Sequence, residues 1–89
     1  MNKVNHIIIV ESSHLLYEGL VQVISKSGLN AHIRQTASLG DAEKQISIKP
    51  DSIVIINPSL VQYNTKEFHH LKNTWDGVKW IGLVYLHFD

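Results

Sequence analysis

This chain of 89 residues has no cysteine, a single methionine and two prolines, and its eight Lys/Arg balance its eight Asp/Glu. Without cysteine there are no disulfides, no thiolate metal sites and no cysteine catalysis. Without net charge or a Lys/Arg cluster the chain lacks the electrostatic footprint of a nucleic-acid binder, so this segment is not expected to grip DNA by itself. No apolar run is long enough for a signal peptide or a membrane span, so the expected compartment is the cytoplasm, with no membrane partner. No glycine-rich phosphate loop follows the first apolar run, which argues against a nucleotide-binding enzyme. Repeats and low-complexity tracts are absent too. One small domain, residues 1–89, is expected, with little apolar surface to spare.

What is present is alternation. Ile7-Ile-Ile-Val10 is a short apolar run bounded by polar residues, as in a strand covered on both faces. It stops at Glu11, and Ser12 or Ser13 can cap a helix that follows at once. That helix carries Leu16, Leu20, Val23 and Ile24 on one face and ends at Gly28. Residues 30–36 alternate Ala31, Ile33 and Gln35 against His32, Arg34 and Thr36, the pattern of an edge strand with one wetted face. Leu39, Ala42 and Ile46 mark a second helix that must stop before Pro50. Ile53-Val-Ile-Ile56 is a third strand, closed by an Asn57-Pro58 turn. Asn64 and Glu67 form a candidate capping box for a third helix burying Phe68, Leu71 and Trp75. Residues 78–85 read as a fourth strand.

The order βαβαβαβ implies parallel strands joined by right-handed crossovers, hence an α/β, flavodoxin-like, doubly wound sheet with strand order 2-1-3-4. In such sheets ligands bind beyond the carboxyl ends of the strands, where the order reverses. Glu11 and Asn57 would flank that crevice, with Val84 and Tyr85 closing its other side.

Several motifs are read and set aside. His69 and His70 are adjacent and point to different sides of a helix, whereas paired helical ligands favour a spacing of four. His6, His14, His32 and His87 fall in different elements without ligand spacing. Ser12, Ser13 and His14 lack the positioned base and orienting acid of a nucleophilic site. No catalytic residue and no cofactor is assigned.

Ile9-Val-Glu-Ser-Ser-His-Leu-Leu-Tyr-Glu-Gly-Leu20 is similar, position for position, to the I-V-D-D-H-P-L-V-R-E-G-L of receiver domains in two-component response regulators joined to LuxR-type helix-turn-helix domains. Pro50-Asp-Ser-Ile-Val-Ile-Ile-Asn57 resembles their P-D-V-V-L-L-D with one extra residue, placed in the loop before the strand. Trp80-Ile-Gly-Leu-Val84 resembles their fourth strand. The resemblance implies a CheY-like domain that ends after its fourth strand, without the last strand and helices, or a fragment of a longer polypeptide. The first of the three stretches carries the specificity.

Carried over residue by residue, the resemblance implies a degenerate site. Glu11 takes the first acidic position of the Mg²⁺ pocket and is the weak candidate for a cation ligand. Ser12 replaces the second acid. Asn57 stands at the phosphoacceptor position, where a neutral amide is too poor a nucleophile to form an acyl phosphate. Val84 stands at the switch position, where a hydroxyl belongs. The expectation is a non-phosphorylatable pseudo-receiver, not an enzyme, that does not depend on Mg²⁺ and works in signal transduction and transcription regulation. It would act through a protein partner, as a homodimer or with another regulator, and would reach DNA only through a C-terminal domain absent from this chain. The alternative is a ligand- or cation-responsive domain that uses Glu11, Ser12 and Asn57 as a residual switch.

Overall fold

The computed structural model describes residues 4–82. The expected switch position Val84, the neighbouring Tyr85 and the end of the fourth strand lie outside them.

The described residues form four strands and four helices, alternating except that two helices follow the third strand: β1 (Asn5–Val10), α1 (His14–Lys26), β2 (Ala31–Thr36), α2 (Leu39–Ile48), β3 (Ile53–Ile56), α3 (Pro58–Tyr63), α4 (Thr65–Thr74) and β4 (Lys79–Gly82). All strand pairs are parallel and the order is β2-β1-β3-β4, the flavodoxin-like arrangement expected from the alternation. Register aligns Ile7 with Ile53, Val10 with Ile56, and Ile56 with Gly82. Because β2 and β3 lie on opposite sides of β1, right-handed crossovers put α1 on one face of the sheet and α2 on the other.

The two faces are packed very unequally. Alternate residues of a strand point to opposite faces, and Ile8, Val10, Val54 and Ile56 share one of them with Leu39, Ala42 and Ile46 of α2, Leu71 of α4 and Val78. Phe68, Trp75 and Trp80 pack on its rim, Phe68 and Trp80 edge to face with ring centroids 4.9 Å apart. On the opposite face Ile7 and Ile9 are buried, yet α1 contributes no buried residue. Its half-buried side is Tyr17, Leu20, Val21 and Ile24. Leu16 and Val23, expected on that side, are exposed, Val23 by 66%. Among the described residues no helix is long and apolar enough to cross a membrane.

Helix ends follow the local chemistry, with two departures from expectation. Ser13 caps α1 by accepting from the Leu16 N–H at 3.3 Å, and Ser38 caps α2 by accepting from the Asp41 N–H at 3.2 Å. Past the α1 C-cap Ser27, Gly28 takes φ +78°, a left-handed conformation that glycine adopts without a Cβ penalty. The Asn57-Pro58 step is more than a turn: it starts the short helix α3, with Asn57 as N-cap and Pro58 in the first turn. The expected capping box at Asn64 does not form, since the Asn64 amide donates instead to the Leu60 carbonyl at 2.9 Å.

A single carboxylate joins α2 to the end of α4. The Trp75 Nε1–H donates to Glu43 Oε2 at 3.1 Å, and His70 Nε2 lies 3.8 Å from the same oxygen. Glu43→Ala should cost about 1 kcal/mol by removing the acceptor of a half-buried indole. Glu43→Gln keeps an acceptor and should cost less. Chemical denaturation of the two variants checks the ranking.

Candidate functional site

The strand order reverses between β1 and β3, and beyond their carboxyl ends is the place where open α/β sheets form a ligand crevice. Since Val10 pairs with Ile56, the next residues, Glu11 and Asn57, occupy neighbouring strand ends, with strands spaced roughly 4.8 Å apart. The topology thus brings together two of the residues singled out in the sequence.

Glu11 is held in place by its backbone and its carboxylate alike. Its N–H donates to the Thr36 carbonyl at 2.9 Å, continuing the β1–β2 ladder by one residue. Its carbonyl accepts from Gln35 Nε2 at 2.8 Å. Its side chain is buried, 5% of the residue remaining exposed, and Oε2 accepts from the Ser13 N–H at 2.9 Å. That contact lies at the N-terminus of α1, where the helix dipole favours negative charge. Ser12, between the two, is exposed. Of the two serines considered as caps, Ser13 is the one used.

Asn57 is half-buried and committed locally. Its Oδ1 accepts from the Ser59 N–H at 3.0 Å and from the Ser59 hydroxyl at 2.7 Å. These bonds use the carbonyl oxygen of the amide as the cap of α3. Behind it, a Cβ placed on Gly82 would meet Pro58 Cγ at 3.8 Å, so the end of β4 abuts the start of α3. Asn57→Ala should cost about 1 kcal/mol through loss of the cap, whereas Asn57→Asp keeps an oxygen acceptor and should cost only a few tenths through the cap, with the screened repulsion of Glu11 added to it. Thermal melts of both variants at low and high salt test this: a loss in the aspartate variant that salt removes is repulsion by Glu11, whereas a large loss that salt does not change would show that the amide nitrogen is structurally needed.

Two residues of this neighbourhood were not singled out in the sequence. Ser59 completes the Asn57 cap; its signal was present, since Asn-Pro-Ser suits an N-cap followed by proline and a polar N2. Gln35 holds the Glu11 carbonyl across two strands, a contact that depends on register and leaves no local mark.

Chemically, the side chains of Glu11, Ser12 and Asn57 offer one carboxylate, one hydroxyl and one amide. Among the described residues no group of three or more His, Cys, Asp or Glu side chains is placed to hold a metal ion. Glu11 is the one carboxylate of the three side chains Glu11, Ser12 and Asn57. Compared with protein-family models, with curated proteins and with solved structures, the chain matches none.

Proposed function

We propose that this chain is a receiver-like domain of the response-regulator type that cannot be phosphorylated, and that it acts by docking to a protein partner rather than by turnover. The observation that carries this reading is the neighbouring placement of Glu11 and Asn57 at the reversal point of a 2-1-3-4 parallel sheet. In a receiver this is the place of the metal-binding acid and the phosphoacceptor. An amide nitrogen lone pair is delocalised into its carbonyl, and the Asn57 oxygen already accepts two hydrogen bonds from Ser59. Neither atom is an available nucleophile toward a phosphoryl donor. The exposed Ser12 supplies no second carboxylate, so a hard divalent cation would meet too little negative charge.

Without a phosphoryl switch, the domain holds one conformation and presents fixed surfaces. A second copy of the chain or another regulator is the partner this reading assigns, and transcription regulation through a LuxR-type output is the process. Support for docking comes from β4, an edge strand of the described sheet on which Ile81 is 47% exposed. Sedimentation equilibrium should show mass rising with concentration, or with an added partner regulator. A strictly monomeric chain that binds no regulator would overturn the docking role.

The alternative reading, a cation- or ligand-responsive crevice, is favoured by the buried Glu11 carboxylate at the sheet's reversal point. Trp80 separates the two, because it pairs with Val54 on β3, three residues before Asn57. In a Trp75→Phe background, titration with Mg²⁺ and acetyl phosphate should leave Trp80 emission unchanged. A saturable change would favour the responsive crevice instead.

A further inference from the structure

We propose that the opposite end of the sheet carries a second site, a cleft for a small dianionic oxyanion ligand, built by His6, His32, Arg34 and Lys49. The cleft has a volume of about 240 Å³ and lies at the amino ends of the strands, away from the Glu11–Asn57 crevice. Register explains why His6, His32 and Arg34 converge. His6 pairs with His32 and Ile8 with Arg34, so all four point to the α2 face of the sheet. The two imidazoles meet edge to face, with centroids 5.8 Å apart. Lys49 approaches from the C-cap of α2. Buried Ser52 donates its hydroxyl to the Lys49 carbonyl, which fixes the loop that carries this lysine.

The charge is one-sided. Among the described residues no carboxylate lines the cleft and no ion pair engages Arg34 or Lys49. The guanidinium presents a planar fork of donors that matches phosphate or carboxylate, and each imidazole adds at least one N–H. Lys49 stands at the carboxyl end of α2, where part of its charge offsets the negative end of the helix dipole. Arg34 is therefore the principal cation. Ile8 and Ile48 supply an apolar wall, and Gln45 a neutral amide, so a compact ligand with a short carbon body fits better than a bare ion. The volume falls below the usual range for drug-sized ligands, which restricts the occupant to a small phosphate ester or a short dicarboxylate.

Amide spectra of the ¹⁵N-labelled chain test the proposal during titration with inorganic phosphate, succinate and acetate, with ionic strength held constant by chloride. Phosphate or succinate should give saturable shifts confined to the amides of residues 6–8, 32–34 and 48–52, and acetate should bind more weakly than either. Saturation by phosphate alone would identify a phosphate ligand, and by succinate alone a dicarboxylate. Arg34→Gln should weaken binding about tenfold, the loss expected for a hydrogen-bonded charge. Lys49→Gln should weaken it less, and provides a second reading if the arginine variant does not fold. Absence of saturable shifts with both dianions, equal shifts with chloride or acetate, or affinities unchanged in both variants would each overturn the proposal.

Discussion

Replacing Ser12 and Asn57 together by aspartate should make this domain dependent on Mg²⁺, a dependence the natural chain is expected to lack. Of the side chains Glu11, Ser12 and Asn57, Glu11 is the one carboxylate, and its Oε2 accepts from the Ser13 N–H at the start of α1. Ser12→Asp and Asn57→Asp would put two more carboxylates beside it. At roughly 5 Å and an effective dielectric near 20, each like-charge pair costs about 3 kcal/mol. The exposure of Ser12 and the half-exposure of Asn57 screen much of this, leaving a net loss on the order of 1–3 kcal/mol. For a domain of this size that lowers Tm by roughly 5–20 °C. A hard divalent cation held by these oxygens removes the repulsion, so millimolar Mg²⁺ should restore most of the loss. Thermal melts with Mg²⁺ and with a chelator check the result. If Mg²⁺ raised the Tm of the natural chain as much as that of the variant, Glu11 would already hold the ion without acidic partners.

Ile46→Ala should be the most damaging single truncation on the helical layer, while Val23→Ala should pass almost unnoticed. Ile46 is fully buried in the cluster formed by α2, α4 and the sheet. Removing its three distal carbons loses their transfer free energy and leaves a void, together about 2–5 kcal/mol. A chain of this length has a total stability of roughly 4–13 kcal/mol, so the variant loses a large share of it and Tm falls on the order of 15 °C or more. Val23, on α1, is 66% exposed, and its truncation should stay within about 0.5 kcal/mol. Denaturant midpoints of the two variants measure the contrast. Similar losses in both would mean that the α1 face carries as much of the core as the α2 face.

That contrast also explains which elements were legible in the sequence. Ile7–Val10 and Ile53–Ile56 are β-branched runs with polar borders, and a central parallel strand needs nothing else. Leu39, Ala42 and Ile46 recur at helical spacing in a segment whose other positions are mostly polar, and all three are buried. In α1, by contrast, Leu15, Leu16, Leu20, Val21, Val23 and Ile24 spread around much of the helix. Periodicity alone does not choose among its faces, and the half-buried side turned out to include Tyr17 and Val21. The helix α3 escaped notice because six residues give fewer than two turns, and Asn-Pro-Ser begins a turn and a helix identically.

The failed capping box at Asn64 has a similar origin. Asn64 closes α3 and opens α4 at once, at φ −133° and ψ 43°. Away from the extended conformation of an ordinary N-cap, its side chain turns back to Leu60. The site divides in the same way. That Glu11 and Asn57 occupy neighbouring strand ends followed from strand order alone, whereas the Ser59 and Gln35 contacts depend on side-chain reach across elements. The basic cleft was invisible for that reason too: His6, His32, Arg34 and Lys49 are scattered along the chain, and register alone gathers the first three.

Intact-mass spectrometry after incubation with acetyl phosphate and Mg²⁺ tests most directly whether the domain can be charged with phosphate. The mass of the natural chain should remain unchanged. A hydroxylamine-labile adduct with the mass of one phosphoryl group, mapped to any carboxylate of the Glu11–Asn57 crevice, would show that an acyl phosphate forms and that the domain is a working switch.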